Sequence, residues 1–317
     1  MSLHVSGGPH IRTRSTTQKV MLDVLIALVP TTVAGIYLFS WPALWLLVVS
    51  VISAVASEYI WQKLAKKEVV INDLSAVVTG LLLGLNLPAN VPLWVAAIGS
   101  AFAIIVVKQL FGGIGHNFLN PALAARAVLL TSWPAHMASA VLPSRLIGVS
   151  QAAFSVDAMS TATPLKMPTE WGMYDLIMGN IPGTIGEVCK VALVIGFIYL
   201  LVRKVIGWHI PVIFVATSML MTYALGEDGL FAIMSGGILL GAIFMATDYV
   251  SNPMLKRAQA VFAVGCGVVV VLIRQFGSYP EGVTYAILIM NILSPFFDRM
   301  IRRRIYGRAK KHGKKRG

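Results

Sequence analysis

The sequence predicts an all-α membrane protein of about ten transmembrane helices, arranged as two inverted five-helix repeats with both termini in the cytoplasm. Three observations predict this fold. The chain is 57% hydrophobic and only 12% charged, and its mean hydropathy of +0.77 is far above that of soluble domains. Its apolar residues are gathered in blocks of membrane-spanning length. Its basic residues are concentrated in alternate connections between those blocks.

Ten apolar blocks of 15 to 21 residues account for the predicted helices. Each is long enough, or nearly so, to cross about 30 Å of hydrocarbon as a helix, and helices satisfy every backbone amide internally. The first block could be mistaken for a signal peptide. It is too long for that, and no A-x-A cleavage site follows it, so we interpret it as a retained span. The blocks are 20–39, 42–62, 72–86, 91–110, 119–134, 187–206, 208–224, 230–246, 257–275 and 283–300.

The basic residues indicate the orientation of these spans. Of the 26 Lys and Arg residues, 21 fall on one side of a ten-span arrangement. They lie in the N-terminal segment 1–19, after the second, fourth, sixth and eighth blocks, and from residue 299 onward. The connections 40–41, 87–90 and 225–229 on the other side contain none. This is the positive-inside pattern, which places both termini in the cytoplasm.

The basic tail 301–317 allows more than one interpretation. It could bind nucleic acid or a protein partner, or it could rest near anionic headgroups as a topology anchor. We favour the anchor, because the tail continues the cytoplasmic excess of positive charge. The expected partner of the tail is therefore membrane lipid, and no nucleic acid is expected.

One long extracytoplasmic loop, residues 135–186, separates the fifth and sixth blocks. Its four prolines and several glycines predict little regular structure. Long connections of this kind in compact proteins tend to be functional. At its centre, residues 157–164 read D-A-M-S-T-A-T-P. This polar stretch is where we look for chemistry.

The two halves of the chain resemble each other. G-L-L-L-G at 80–84 matches G-I-L-L-G at 237–241, and K-Q-L-F-G at 108–112 matches R-Q-F-G at 274–277. Asn120-Pro121 recurs loosely as Asn291 and Pro295.

Each half has five spans, which is an odd number. The two repeats, 20–134 and 187–300, are therefore inverted relative to each other in the membrane. Inverted repeats with interrupted spans are typical of proteins that hold an ion or substrate near the middle of the membrane. The glycine pairs alone have a simpler explanation, which is that they let helices approach closely.

The stretch 157–164 allows several chemistries on its residues alone. Its hydroxyl groups could be phosphorylated, glycosylated or esterified, or could simply hydrate the chain, although it contains no N-x-S/T sequon. The small residues Ala158, Ser160 and Ala162 leave the Thr163 hydroxyl accessible to a bulky group. Asp157 could orient a metal or accept a proton during a transfer to that hydroxyl. The residues themselves leave these alternatives open.

A family resemblance narrows them. D-x-x-S-T-A-T is similar to D-x-x-S-G-A-T, the flavinylation motif whose last Thr carries FMN through a phosphoester bond. The whole chain resembles the D subunits of Rnf complexes, which are ion-translocating ferredoxin:NAD oxidoreductases. The resemblance includes V-S-G-G-P-H-I-R and T-T-Q-K-V-M-L-D near the N-terminus and H-N-F-L-N-P-A-L-A-A-R-A from His116. The homologous B subunits of sodium-pumping NADH:quinone oxidoreductases are similar in plan, but the short N-terminus and T-P-L after the motif favour the Rnf branch.

The resemblance implies that Thr163 carries covalent FMN, with Asp157, Ser160 and Ala162 as further motif positions. Thr161 stands where the motif usually has glycine, which would adopt a positive φ at less cost. Because the remaining positions match, we expect the modification to occur.

The implied function is that of a flavin-carrying membrane subunit of a redox-driven ion pump. It would pass electrons between ferredoxin and NAD through FMN and help couple this transfer to Na⁺ or H⁺ translocation, without independent activity. The implied partners are an FMN transferase and the other Rnf subunits. Those subunits include a second flavinylated subunit, membrane subunits that hold an iron–sulfur cluster, and soluble subunits on the NADH and ferredoxin sides. The expected location is the inner membrane of a prokaryote, with the flavin loop extracytoplasmic.

Ionisable and amide side chains within the spans are further candidates. Arg126 in the fifth block could contact a cofactor or partner, or could pair with a helix C-terminus. Asn120, with His116 and Asn117, could contribute to a second, non-covalent flavin site or cap a helix. The family suggests a bound riboflavin, but the sequence does not place it. Asp23 and Glu58, near the cytoplasmic ends of the first two spans, are expected at the membrane interface.

Two other classes of function remain open, and each gives no role to the outer motif. The inverted repeat alone would suit a channel or secondary transporter, and the chain could also be a structural anchor of the complex. No metal site and no catalytic residue is predicted. The two cysteines, Cys189 and Cys266, lie in different spans without C-x-x-C spacing and are interpreted as packed thiols.

Overall fold

The structure is a computed structural model that describes residues 16–137, 141–143, 172–277 and 282–301. All regular secondary structure in these ranges is helical, apart from one isolated antiparallel bridge between Val141 and Gly183. The described part of the chain is therefore all-α, as the sequence predicts.

The helices of the first half follow the first five apolar blocks. A 3₁₀ turn at Ile71–Asp73 precedes the second helix, and the third continues as a π-helix over Ala103–Gln109. The helices are α1 Thr17–Leu64, α2 Ser75–Leu85, α3 Leu93–Phe102, α4 Pro121–Ser132 and α5 Pro134–Met137.

The helices of the second half follow the last five blocks, after one short helix in the loop. The eighth block is divided between α9 and α10, and α10 continues as a π-helix over Gly241–Met245. The helices are α6 Met173–Met178, α7 Lys190–Val202, α8 His209–Ala224, α9 Gly229–Met234, α10 Ile238–Leu240, α11 Lys256–Phe276 and α12 Val283–Met300.

Two predicted spans are joined within α1. Helical geometry is interrupted only at Ser40, where φ is 60° and ψ is −148°, two residues before Pro42. By length and composition, α1 and α11 are long and apolar enough to cross a bilayer, and several shorter apolar helices accompany them. The fourth block is shortened by its π-segment, and the eighth by a break and a π-segment.

Several glycines allow neighbouring helices to approach each other closely. An added Cβ on Gly80 would lie 2.8 Å from the Ser50 carbonyl oxygen, and one on Gly84 would lie 2.9 Å from Leu47 Cδ2. On the matching stretch of the second half, a Cβ on Gly241 would lie 2.5 Å from Val283 Cγ1. Three of the four paired glycines therefore permit close helix packing. The fourth, Gly237, faces the carboxylate of Glu187.

The end of the long loop returns into the core of the protein. The short helix α6 packs against α7 and α9, and Leu176 on it is buried. Residues 181–188 follow without helical structure, and every one of them is buried. The backbone N–H groups of Ile185 and Gly186 donate to the carbonyls of Leu87 and Leu85, at 3.2 and 2.7 Å. This burial was not predicted from the sequence.

Candidate functional site

The proposed attachment motif lies outside the described residues. Asp157, Ser160, Thr161, Ala162 and Thr163 all fall in the range 144–171, so the structure reports no geometry for them. The candidate site that the structure does describe is the polar interior formed by Asn120, Arg126 and the groups around them.

Asn120 caps α4 and joins the two halves of the molecule. Its Oδ1 accepts hydrogen bonds from the N–H groups of Ala122 and Leu123 at 3.0 and 3.2 Å, which is the usual role of an N-cap side chain. Its Nδ2 donates to the Met245 carbonyl oxygen at 3.2 Å, at the end of the second π-helix. Asn120 is buried, so its side chain serves as a structural link between α4 and the broken eighth span.

Arg126 lies one to two turns further along α4 and contacts the end of α2. Its Nη1 donates to Asn86 Oδ1 at 2.8 Å, and Asn86 is the residue that caps the C-terminus of α2. Asn86 Nδ2 in turn donates to the Leu82 carbonyl at 2.8 Å and lies 3.4 Å from Met245 Sδ. Asn120 and Arg126 therefore belong to one buried network that holds the ends of α2 and the second π-helix together.

A small cavity of about 100 Å³ opens beside this network. Apolar side chains of α1, α2, α7 and the second π-helix form much of its wall. A few polar side chains interrupt that wall: Ser75, Lys108, Asn117, Asn120, Thr247 and Asp248. A mostly apolar wall with a few polar groups is typical of sites that bind organic ligands.

Asp248 contributes the carboxyl group of that wall, just beyond the end of the eighth block. Its burial raises the pKa of the carboxyl above its ordinary value, while hydrogen bonds from Ser251, Val250 and Asn117 act in the opposite direction. Ser251 Oγ donates to Asp248 Oδ2 at 2.9 Å. The wall of the cavity therefore includes a carboxyl group that binds a proton more readily than an exposed one.

Asn117 supplies an amide, Thr247 a hydroxyl and Lys108 an ammonium group at the cavity wall. Asn120 also lines the cavity, whereas Arg126 does not. Of the two side chains expected near a second flavin, only Asn120 therefore borders this space.

Glu58 and Lys108 form a buried ion pair next to the cavity. Lys108 Nζ donates to Glu58 Oε1 at 2.7 Å and to Ser75 Oγ at 2.6 Å, and Gln109 Nε2 donates to the same carboxylate oxygen at 2.6 Å. The side chains of Lys108 and Glu58 are 4% and 1% exposed. Glu58 is therefore enclosed by other side chains of the protein.

Asp23 also lies in contact with the protein. Arg203 donates to both of its carboxylate oxygens, at 3.1 and 3.2 Å, and the Tyr199 hydroxyl donates at 3.0 Å. These bonds tie the start of α1 to the end of α7. The sequence analysis singled out Asp23 and Glu58 but not their partners. Lys108 had been noted as a repeat position and as a basic residue that indicates orientation, but not as the partner of Glu58.

Comparison with known proteins identifies the family. The family model described as NQR2, RnfD, RnfE matches residues 4–307. The chain is 45% identical to the D subunit of the Na(+)-translocating ferredoxin:NAD(+) oxidoreductase complex of Acetobacterium woodii, over 98% of this chain and 97% of the relative.

Two further relatives cover nearly the whole chain. The D subunit of the proton-translocating ferredoxin:NAD(+) oxidoreductase complex of Clostridium ljungdahlii is 39% identical over 93% of each chain. The D subunit of the ion-translocating oxidoreductase complex of Stutzerimonas stutzeri is 37% identical over the same share of each chain. The full-length match and these identities show that the chain belongs to the NQR2, RnfD, RnfE family.

Proposed function

We propose that this chain is the D-type membrane subunit of an ion-translocating ferredoxin:NAD⁺ oxidoreductase complex and carries FMN covalently on Thr163. The observation that carries the proposal is the near-complete alignment with subunits bearing that name. The motif D-x-x-S-T-A-T at 157–163 supports the covalent flavin. The protein positions the flavin, and the flavin supplies the redox chemistry.

The proposed subunit acts only within its complex. Its partners would be the other Rnf subunits, including a second flavinylated subunit and the membrane subunits that hold an iron–sulfur cluster, and an FMN transferase would modify it. The proposed location is the inner membrane of a prokaryote. The proposed translocated ion is Na⁺ or H⁺, because the relative from Acetobacterium woodii is named for Na⁺ and that from Clostridium ljungdahlii for protons.

Equivalent contacts in the two halves support the proposed inverted repeat of ten spans. Lys108 bonds Ser75 Oγ at 2.6 Å, and Arg274 bonds the Ala232 carbonyl at 2.7 Å. Lys108 and Arg274 occupy matching positions in the repeat. Ser75 and Ala232 are 157 residues apart, as are Gly80 and Gly237. Each cation thus ties the fourth span of its half to the start of the third, which supports a duplicated architecture.

The covalent flavin is tested by replacing its proposed attachment residue. In complex co-expressed with an FMN transferase, we expect Thr163→Val to abolish in-gel flavin fluorescence of this subunit, because valine has no hydroxyl to form the phosphoester. Peptide mass mapping should find FMN on the wild-type peptide that contains Thr163.

The matched control is Thr161→Gly, which changes the neighbouring threonine to the usual motif residue. It should keep FMN on Thr163. Flavin that persists on the Thr163→Val subunit, or wild-type subunit without flavin, would contradict the proposal.

The cavity beside Asn120 is the proposed place of a second, non-covalent flavin. We expect Val78→Trp to reduce the flavin released from the denatured complex by acid, because Val78 lines the cavity and is 8% exposed. The covalent fluorescence should remain. Val194→Trp makes the same change on the outer surface of α7, where Val194 is 44% exposed, and should leave both flavins in place. Equal release from the two variants would place the second flavin elsewhere.

A further inference from the structure

The buried segment 181–188 carries a carboxylate that no function above uses. The segment contacts α1, because an added Cβ on Gly35 would lie 2.7 Å from the Ile185 carbonyl oxygen. Its backbone is bonded to the end of α2 through Leu85 and Leu87. Non-helical backbone inside a membrane protein is tolerated where it is enclosed by protein or lines a polar site. Glu187 is the acidic residue of this segment and is 3% exposed.

One oxygen of Glu187 is bonded, and the other has no partner among the described residues. Oε1 accepts a hydrogen bond from the Thr184 N–H at 2.9 Å. Oε2 has none, and the Thr184 hydroxyl, in the same tight turn, also has none in the described part of the chain. Thr184 is 2% exposed, so water does not reach either oxygen freely. Buried oxygens of this kind normally have a partner.

Glycines leave room on both sides of the carboxylate. An added Cβ would lie 2.8 Å from Oε1 if placed on Gly183 and 3.0 Å from Oε2 if placed on Gly237. Gly237 stands at the break of the eighth span, between α9 and α10, and Gly236 before it has a φ of 79°. A broken span facing a re-entrant segment is the arrangement in which transport proteins hold their ions.

The charged groups on the neighbouring elements are engaged elsewhere. Lys190, at the start of α7, donates to the backbone carbonyl of Glu187 rather than to its carboxylate. Arg274 on α11 donates to the carbonyls of Ala232 and Ser235. Arg126 donates to Asn86, and Asp175 on α6 accepts from Asn180. The electron pairs of Glu187 Oε2 therefore remain available to a small cation.

We propose that Glu187 Oε2 and the Thr184 hydroxyl bind an exchangeable monovalent cation, Na⁺ or H⁺, at the break of the eighth span. The inference rests on the proposed role in an ion pump. Oxygen ligands of this kind suit hard cations. A proton would add to Oε2 and leave a neutral carboxyl, whereas Na⁺ would be held by the ionised carboxylate, the hydroxyl and backbone carbonyls. An ionisable residue in this position is more often functional than structural.

Infrared difference spectra of the purified complex test the proposal directly. Spectra with Na⁺ minus choline, and at low minus high pH, report changes of individual carboxyl groups. We expect a carboxyl band that responds to Na⁺ or to pH in the wild type and is lost in Glu187→Gln. Response to Na⁺ identifies Na⁺ as the ligand, and response to pH alone identifies the proton.

The matched control is Glu227→Gln, which neutralises an exposed acidic residue on the same predicted side of the membrane and should keep the band. If Glu187→Gln does not assemble, Thr184→Val is used, because it keeps the carboxylate and removes the hydroxyl. It should shift the band or weaken its Na⁺ dependence.

Spectra that are the same in the wild type and in Glu187→Gln, or in Thr184→Val where that variant is used, would overturn the inference. FMN on Thr163 in such a complex would show that the inference alone has failed. Absence of FMN from Thr163 in the wild type would instead overturn the proposed function.

Discussion

At the scale of single residues, the Glu58–Lys108 pair connects α1 with the first π-helix. Both groups are buried, and the same oxygen of Glu58 accepts from Lys108 and Gln109. Removing ions from water is costly, so such a pair contributes little net stability when intact. Removing one partner, however, leaves the other charge buried and unpaired. The pair therefore favours one relative position of α1, α2 and the first π-helix.

We predict that Lys108→Met destabilises the protein by about 3–5 kcal/mol. The midpoint of thermal unfolding in detergent should fall, and a second change, Glu58→Gln, should restore part of the loss because the unpaired charge is gone. Lys63→Met, which removes an exposed lysine that lies 5.0 Å above the Tyr59 ring, should leave the unfolding midpoint nearly unchanged. A Lys108→Met variant as stable as Lys63→Met would show that the carboxylate is not buried.

At the scale of helices, packing depends on the backbone approach between α1 and α2. Gly80 faces backbone atoms of α1, with the Ser50 oxygen at 2.8 Å and Val51 Cα at 2.9 Å from an added Cβ. Backbone atoms cannot rotate away as a side-chain end can. The contact therefore requires glycine for reasons of space.

We predict that Gly80→Val destabilises the protein by about 1–3 kcal/mol, the usual cost of overpacking, or prevents assembly. Gly207→Val is the control, because the nearest atom to an added Cβ there is His209 Nδ1 at 3.5 Å. Yield and unfolding midpoint in detergent would be compared for the two variants. Equal values would mean that α1 and α2 do not approach as closely as the structure has them.

The helices themselves were largely predictable, and their interruptions were not. Hydropathy located each apolar block, because lipid-facing and buried positions are both apolar. Hydropathy could not show that α1 continues past Ser40, because it does not report the backbone geometry of a single residue. It also assigned residues 181–186 to the long outer loop and gave no sign that they are buried in the protein. Gly186 in this segment lies in close contact with α2, because an added Cβ on it would lie 2.7 Å from Leu85 Cβ.

The candidate site was predictable in its residues but not in its connections. N-P at 120–121 is a helix-start signal, and Asn120 does cap α4. Its second bond, to Met245, joins residues 125 positions apart. Contacts of that separation have no local signature in a single sequence. For the same reason, the contacts of Asn86 with Arg126 and of Asp248 with Asn117 were not predicted.

At the scale of the whole molecule, the orientation in the membrane is open to direct measurement. In a chain with Cys189 and Cys266 replaced by alanine, we predict that Lys67→Cys reacts with a membrane-impermeant maleimide only after intact cells are opened. Glu227→Cys should react in intact cells, because the positive-inside pattern places it outside. Labelling of both, or of neither, before opening would contradict the ten-span arrangement.

The docking of α6 also sets a limit on electron transfer. Thr163 is nine residues upstream of Gly172, where the description of the chain resumes. A chain of that length spans at most roughly 30 Å when fully extended. The proposed attachment point of the flavin therefore lies within that distance of the start of α6, and α6 is held to the helix bundle through its buried Leu176. A redox partner must therefore bring its own cofactor close to this region of the protein. The length of the segment between Thr163 and α6 thus constrains how the subunits of the complex can be arranged.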